Sequence, residues 1–419
     1  MASATRWGLS DKASAGVAEE VGKAGFVTVE GPEFRLDGRS FYFGGTNLRE
    51  LGFLTDRSEQ EVYGAVAFLA ARGLRVVRLL GATCKGSGFP GLPMIEAASA
   101  DGSTYNELAL RRLDVALDAA RAAGVRVILA LVNFEYFACS MHWWVRQIRG
   151  EGETEDFYKD HAVRRAFKRH VEALLSRENT ATLARTGERV AYRDDPTIMA
   201  IEAANEPHTS DLYERRRDLT PGDLVLEWLA DITAHIRALD PDHLISTGEE
   251  GYKTGGPREH PLHWLSDGWK GVDFARNLAL PTVDFATVHF YPDAWNIPRR
   301  RLAWACEHFL ADRARIAHGL GKPIVLEEIG FDRGARFEKL GYSSDPAGAL
   351  KEVLRAANSL GYAGTLVWQA LPPGFEPRDY EFGPGTPQFR VVEQQARIMN
   401  ARGRSWLDRL RRLGRQAFR

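Results

Sequence analysis

The chain has 419 residues, 44% of them hydrophobic, and its 55 Lys and Arg residues are balanced by 56 Asp and Glu residues, for a formal net charge of -1. That balance gives no general attraction to nucleic acid or to an anionic membrane, so we expect neither as a partner. The hydrophobic content excludes a disordered chain. No apolar run approaches the ~18 residues that a bilayer-spanning helix needs, so the composition indicates a globular protein with a large core.

One pattern recurs along the chain: a helical segment, a glycine, and then a short β-branched run. A capping box predicts the start of the first helix of this series: Ser58 is followed three residues later by Glu61. The runs predict eight strands, at residues 41–47, 74–79, 125–132, 198–204, 244–247, 283–289, 324–329 and 364–368. Because helices separate most of them and no nucleotide-binding glycine motif is present, the pattern favours a closed (β/α)8 barrel, a TIM barrel of the α/β class, over an open doubly wound sheet.

The domain organisation follows from the same pattern. Residues 1–25 are an N-terminal extension, and residues 26–402 are expected to form one barrel domain with long βα loops. Its first segment, 26–36, reads as a β-hairpin that closes the barrel floor. Residues 403–419 form a basic tail with apolar residues at helical spacing, which predicts a peripheral helix with solvated arginines.

The three cysteines are Cys84, Cys139 and Cys306, too few for a disulfide scaffold and without metal-ligand spacing. Cys84 and Cys139 follow neighbouring predicted strands, so a disulfide between them is conceivable, but we expect free thiols. The first residues lack the apolar stretch of a secretion signal. This predicts a cytoplasmic location, or a secreted one if a leader has been removed.

In a (β/α)8 barrel the chemistry lies at the C-terminal strand ends and in the loops that follow them. Polar and aromatic side chains collect there in this sequence: Arg78, Asn133, Asn205, Glu206, His208, His289, Tyr291, Glu327, Glu328 and Trp368, with Trp143 and Trp295 in the loops. Indole faces beside carboxylates favour a sugar, because the C–H faces of a pyranose ring are apolar while its edges need hydrogen bonds. Trp143 could equally pack its own loop.

The most informative pair is Glu206 with Glu328, at the ends of the fourth and seventh predicted strands. Glycoside hydrolysis needs one protonated carboxyl, which donates to the leaving oxygen, and one ionised carboxylate near the anomeric carbon. We expect Arg78 to keep Glu328 ionised and Glu206 to keep a raised pKa, as the acid and then the base. The residues alone leave Glu327 open as the nucleophile instead of Glu328, or as a buried partner for a basic residue.

The sequence resembles glycoside hydrolase family 5, and within it the plant and fungal endo-β-1,4-mannanase branch. The resemblance rests on Asn205-Glu206-Pro207, on residues 289–293, on Glu327-Glu328-Ile329-Gly330 and on Trp368, and it extends through residues 271–295. It implies the roles of acid/base for Glu206 and nucleophile for Glu328. It also implies that Asn205 bonds the sugar 2-hydroxyl, that Arg78 and Tyr291 orient Glu328, that His289 lies beside Glu206, and that Trp368 is the floor of the −1 subsite, followed by a cis peptide bond to Gln369.

Departures from the branch pattern concern the sugar subsites. An Arg commonly follows the Glu-Pro pair where this chain has His208, and the segment after Asn133 also differs. The expected activity is retaining hydrolysis of β-1,4-mannosidic bonds in mannan or manno-oligosaccharides, without metal or organic cofactor. The alternatives are an exo-β-mannosidase, a β-glucan hydrolase or transglycosylase on the same machinery, or a non-catalytic carbohydrate-binding barrel. The sequence leaves the oligomeric state open.

Overall fold

Eight parallel strands form the central sheet of the computed structural model. We label them β1 to β8 in chain order: Phe43–Asn47, Val76–Leu80, Arg126–Ala130, Ile198–Glu202, Leu244–Ser246, Ala286–Phe290, Ile324–Ile329 and Gly364–Val367. Their order in the sheet is β5-β4-β3-β2-β1-β8-β7-β6. Between β5 and β6 the ring is completed by single hydrogen bonds, from Asp284 N to Ile245 O (2.8 Å) and from His289 N to Glu250 O (3.2 Å). The predicted (β/α)8 barrel is confirmed.

The structure describes residues 25–49, 51, 57–87, 91–135, 138–256, 262–332 and 334–416, with side chains up to residue 402. The N-terminal extension therefore lies outside the described residues, apart from Gly25. The tail is described as backbone only, up to Gln416, and there it continues the last helix. Within these ranges no helix has the length and apolar character needed to cross a bilayer.

Helices alternate with the barrel strands. Among the described residues, the first helix begins with the predicted capping box, because Ser58 Oγ accepts from Glu61 N at 3.2 Å and the Glu61 carboxylate accepts from Ser58 N at 2.8 Å. The α-helices in this part of the chain are Glu59–Ala70, Glu107–Ala123, Met141–Arg149, Asp156–Lys159, His161–Leu175, Thr180–Thr186, Asp223–Leu239, Phe274–Leu278, Leu302–Ala305, Ala311–Gly319, Ala335–Lys339, Pro346–Ser359 and Pro387–Gln416. Short 3-10 turns span Tyr192–Asp194, Arg215–Arg217, His263–Leu265 and Arg299–Arg301, and a π-helical turn spans Cys306–Leu310.

The N-terminal end of the barrel is closed by an antiparallel hairpin, as predicted. Its strands, Thr28–Glu30 and Glu33–Leu36, continue into a short third strand, Arg39–Ser40. Phe34 of the hairpin packs against Phe43 of β1 and against Phe285, with ring centroids 5.7 and 5.2 Å apart. This apolar plug leaves the opposite end of the barrel for the polar side chains.

The loops at that opposite end carry structure of their own. A hairpin of Ile95–Ser99 and Gly102–Tyr105 follows β2, and a disulfide joins Cys84, after β2, to Cys139, after β3. The expectation of free thiols at these two positions is wrong, because the loops bring the two Cα atoms to 4.7 Å. Cys306 is free and buried.

We predict that the disulfide stabilises the fold chiefly by restricting the unfolded chain. Closing a loop of 55 residues is worth about 4 kcal/mol on the chain-entropy scale. Cys84→Ser is therefore expected to lower the free energy of unfolding by up to that amount, measured by urea denaturation. Reducing agent should weaken the wild type but not the variant. Cys306→Ala is the control and should keep the wild-type response to reductant. A Cys84→Ser protein that is still weakened by reductant would contradict the prediction.

Candidate active site

Arg78 lies at the centre of the polar end of the barrel. Its side chain, only 2% exposed, extends from β2 toward carboxyl groups on β4 and β7. Nη1 donates to Glu328 Oε1 at 2.6 Å, Nη2 donates to Glu202, and Nε lies 3.5 Å from Glu327 Oε2. One guanidinium thus holds three acidic side chains, which a fork of five N–H donors is suited to do.

Three amide side chains extend this network. Asn205 Oδ1 accepts from Arg78 Nη2 at 2.6 Å, and Asn205 Nδ2 donates to Asn133 Oδ1 at 2.9 Å. Asn47 Oδ1 accepts from Arg78 Nη1 at 3.1 Å while its Nδ2 donates to the Glu327 carbonyl at 2.9 Å. Because a guanidinium can only donate, these contacts fix the orientation of the Asn205 and Asn47 amides.

His289, on β6, contacts three carboxyl groups, two of which also contact Arg78, and it is fully buried. Its Nδ1 lies 2.6 Å from Glu206 Oε1 and 3.6 Å from Glu328 Oε2, and its Nε2 lies 3.3 Å from Glu327 Oε2. Tyr291 donates its hydroxyl to Glu328 Oε2 at 2.5 Å. Glu328 is therefore held by Arg78 on one oxygen and by Tyr291 on the other.

Glu206 reaches His289 through an unusual backbone conformation. Its φ is +50°, in the left-handed region, and its N–H donates to Gly248 O at 2.8 Å. A non-glycine residue held in this region costs on the order of 1 kcal/mol, and the surrounding contacts must compensate for it. The turn brings one oxygen of Glu206, one oxygen of Glu328 and one nitrogen of His289 within 4.8 Å of one another.

The charges in this cluster set the pKa values. Burial tends to lower the pKa of His289, but Glu328, Glu206 and Glu327 outweigh it and hold that pKa well above the usual value. Burial tends to raise the pKa of Glu206, but the hydrogen bond and charge of His289 prevail and lower it. Burial raises the pKa of Glu328, and the charge of Glu206 adds to the effect. The expected order of the two pKa values, with Glu206 raised and Glu328 kept low by Arg78, is thus wrong for the unliganded protein. His289 lowers the pKa of Glu206, and at Glu328 burial and the charge of Glu206 outweigh Arg78.

Trp368 follows β8, and its peptide bond to Gln369 is cis, as the family resemblance implied. The Arg49 guanidinium lies over the indole ring, 5.4 Å from the centroid. Arg49 also pairs with Glu381 at 3.4 Å.

His208 and the two loop tryptophans lie further from the central network. His208 packs against Phe134 with ring centroids 3.8 Å apart and the ring planes tilted by 40°, and its charge contributes to the lowered pKa of Glu206. Trp143 donates from Nε1 to Lys85 O at 2.8 Å and packs edge-on against Trp144. Trp295 packs in an aromatic cluster with Trp264, Phe290 and Phe309. Both indoles therefore serve loop packing, and their contact with a sugar stays a prediction.

Sequence reasoning missed three members of the cluster: Asn47, Glu202 and Glu250. Burial and the charge of Glu206 raise the pKa of Glu250 well above its usual value. The sequence could have indicated Glu202, because it is an acidic residue at the end of the otherwise apolar strand Ile198–Glu202. Asn47 likewise ends β1, where the same strand-end rule applies.

The groups Glu206, His289 and Glu328 also form the cluster of described residues whose ligand atoms are close enough to share a metal ion. A metal at this point would have to displace the proton that links His289 to Glu206. The absence of a metal or cofactor requirement stays a prediction.

Comparison with known proteins agrees with this geometry. Residues 24–352 match the family described as GH family 5 beta-mannosidase-like. The chain is 33% identical over 375 residues to mannan endo-1,4-beta-mannosidase 1 of Oryza sativa subsp. japonica, covering 85% of this chain and 80% of that protein. It is 30% identical to mannan endo-1,4-beta-mannosidase A of Podospora anserina, covering 83% of each.

Among solved structures, the endo-1,4-beta-mannanase from Rhizomucor miehei superposes with a TM-score of 0.75 at 26% identity, covering 90% of this chain and 99% of that one. Fold, motif order and sequence similarity over most of the chain agree: this protein belongs to glycoside hydrolase family 5, in its β-mannosidase-like group.

Proposed function

We propose that this protein hydrolyses β-1,4-mannosidic bonds in mannan or manno-oligosaccharides with retention of anomeric configuration. The observation that carries the proposal is the proximity of the oxygens of Glu206 and Glu328, within 4.8 Å. Retaining glycosidases separate their two carboxyl groups by about 5 to 5.5 Å, whereas inverting enzymes leave about 6.5 to 9.5 Å for a water molecule. A spacing this short supports direct attack by a carboxylate on the sugar.

Glu328 is the nucleophile in this proposal. Arg78 and Tyr291 each donate to one of its oxygens, and these contacts favour the anion against the burial and the charge of Glu206 that raise its pKa. Its neighbour Glu327, which the sequence left as an alternative, is fully buried and directed to Arg78 and His289. Glu328 Oε2 attacks the anomeric carbon, the bond to the leaving oxygen breaks, and a glycosyl ester forms on Glu328.

Glu206 is the acid/base, working with His289. The raised pKa of His289 and the lowered pKa of Glu206 favour the proton on the imidazole in the unliganded protein, 2.6 Å from Glu206 Oε1, so the proton has to cross that hydrogen bond before it reaches the leaving oxygen. Formation of the ester removes the charge of Glu328, which is one of the charges that hold the pKa of His289 high. In the second step Glu206 accepts a proton from water, and the resulting hydroxide opens the ester.

The substrate class is supported by the relatives and by the surroundings of the carboxylates. The relatives from Oryza sativa and Podospora anserina carry the name mannan endo-1,4-beta-mannosidase. Asn205 uses one amide hydrogen on Asn133, which leaves the second for the sugar 2-hydroxyl. Trp368 supplies an indole face for the −1 sugar ring, and we expect His208, whose charge acts on Glu206, to contact a neighbouring sugar.

The substrate proposal is tested by reducing-sugar release from mannan, glucomannan, galactomannan, xylan and cellulose. We expect turnover on the mannose-containing polymers, and NMR of the first product from mannohexaose should show the β anomer. Mixed product lengths would identify endo action, whereas monomer release alone would identify an exo-β-mannosidase. Preference for cellulose, or a first product in the α configuration, would contradict the proposal.

Glu328→Ala is expected to lower kcat by on the order of 10⁴-fold, because the nucleophile is removed. Sodium azide should then restore turnover and give the α-mannosyl azide, because a single attack by azide inverts the anomeric configuration. In Glu206→Ala, azide should give the β-mannosyl azide, since it attacks the ester on Glu328. Exposed Glu151→Ala is the control for loss of a carboxylate. Full activity of Glu328→Ala, or exchanged azide products, would overturn the two assignments.

His289→Asn is expected to lower kcat by about 10²-fold and to move the alkaline limb of the kcat/KM profile to lower pH. The direction of this shift depends on which group holds the catalytic proton. In the wild type that proton is held by an imidazole whose pKa lies well above 6.5, whereas in the variant only a carboxyl group can hold the proton, and it loses the proton at lower pH.

The pH profile is measured on an aryl β-mannoside, with thermal melting as a check of folding. His235→Gln, on the helix Asp223–Leu239, is the matched control and should leave the limb in place. An unmoved alkaline limb in a folded His289→Asn would show that His289 does not carry the proton.

A further inference from the structure

Glu202 and Glu327 form a buried acidic pair beneath the proposed catalytic residues. Glu202 ends β4 and Glu327 lies in β7, and neither side chain is exposed to solvent. Both carboxyl groups meet at Arg78 Nε, which lies 3.2 Å from each oxygen of Glu202 and 3.5 Å from Glu327 Oε2, so the two groups are side by side. Two ionised carboxylates in contact away from water repel strongly, so such a pair normally holds one proton.

The hydrogen bonds of the pair are incomplete unless a proton lies between the two groups. Glu327 Oε2 contacts Arg78 Nε at 3.5 Å and His289 Nε2 at 3.3 Å. Glu327 Oε1 is buried and receives no hydrogen bond from the N–H and O–H groups of the described residues. A buried acceptor left without a donor costs about 1 to 3 kcal/mol, and more when it is charged. The neighbouring carboxyl group can supply the missing donor only if it is protonated.

The missing donor at Glu327 Oε1 places the proton on Glu202, and the cations around the pair bear on the same assignment. Glu202 accepts from Arg78 through both oxygens, at 3.2 Å from Nε, whereas Glu327 Oε2 lies between two cations, 3.5 Å from Arg78 Nε and 3.3 Å from His289 Nε2. Burial raises the pKa of Glu202 to about 8 in spite of Arg78. Burial has the same tendency at Glu327, but Arg78 and His289 prevail and lower its pKa.

The backbone also closes the pair off from water. Gly248 has φ +72°, and a Cβ at this position would lie 1.8 Å from Ala204 O and 2.5 Å from Glu202 Oε1. Only glycine fits so close an approach with that conformation. The main chain therefore packs directly on the Glu202 carboxyl group.

We propose that Glu202 is a protonated carboxylic acid at neutral pH, that it donates a hydrogen bond to Glu327 Oε1, and that the pair is a positioning unit with a single negative charge. That charge holds Arg78 and His289 in place. An ionised Glu202 would add a second charge and draw the guanidinium away from Glu328. The neutral acid leaves the attraction of Arg78 available to the nucleophile.

The first test locates the proton by infrared difference spectroscopy at pH 7. The spectrum of the wild type minus that of Glu202→Gln is expected to contain the carbonyl stretch of one buried protonated carboxylic acid. A difference spectrum with only carboxylate bands would overturn the proposal. This measurement does not depend on the enzymatic activity, so it can fail or succeed independently of the proposed function on which the positioning role rests.

The second test compares kcat of matched variants. Glu202→Gln keeps a neutral group that accepts from Arg78 and donates to Glu327, so kcat should stay within about tenfold of the wild type. Glu327→Gln removes the single charge, and Glu202→Leu removes both hydrogen bonds; each should lower kcat by about 100-fold. KM should change much less than kcat.

Glu249→Gln controls for the loss of another buried acid, because Glu249 bonds Thr247 and Asn277 instead of Arg78. Melting temperatures separate loss of fold from loss of positioning. Equal losses in folded Glu202→Gln and Glu327→Gln would show that both groups are ionised, and would overturn the proposal.

Discussion

The arrangement at the open end of the barrel depends on one buried guanidinium. Arg78 is almost completely removed from water, and a charge in that position is tolerated only when it is paired and hydrogen-bonded. The barrel meets this requirement by converging acidic side chains from β4 and β7 and amides from the ends of β1 and β4 on the five N–H donors. Each of these strands must therefore keep its register, since a shift of one residue would turn the partner of Arg78 out of the barrel.

Convergence on Arg78 creates an excess of negative charge that a second cation has to balance. His289 does so from β6, on the side of the cluster where Glu206 and Glu328 meet. The two cations are not equivalent, because a guanidinium keeps its proton whereas an imidazole can exchange one. Arg78 therefore suits a fixed role beside Glu328, and His289 suits a proton-transfer role beside Glu206. The pKa of Glu206 falls in the unliganded protein because His289 is 2.6 Å away, whereas the pKa of Glu328 rises because burial and the charge of Glu206 outweigh His289 and Arg78.

The sequence was sufficient for the barrel and for most of the polar cluster, for a geometrical reason. Eight predicted strands lie within a few residues of the observed ones, and in a parallel barrel all C-terminal strand ends face the same side. Residue positions relative to strand ends therefore predict proximity without any knowledge of the loops. The disulfide between Cys84 and Cys139 could not be decided in this way, because both residues lie in loops whose paths follow no periodic rule. The pKa order of Glu206 and Glu328 was also out of reach, since it depends on a 2.6 Å contact set by the positive φ of Glu206.

The exposure of the three carboxyl groups supports the roles proposed for them, independently of sequence motifs. The Glu206 side chain is 19% exposed, that of Glu328 is 4% exposed, and that of Glu327 is fully buried. An acid/base must be reached by a leaving group and later by water, so it has to be the most accessible of the three. A nucleophile needs contact with one carbon atom, and shielding from water protects its ester from premature hydrolysis. A residue that only orients the cations needs no contact with substrate, and in this barrel it is the one placed out of reach.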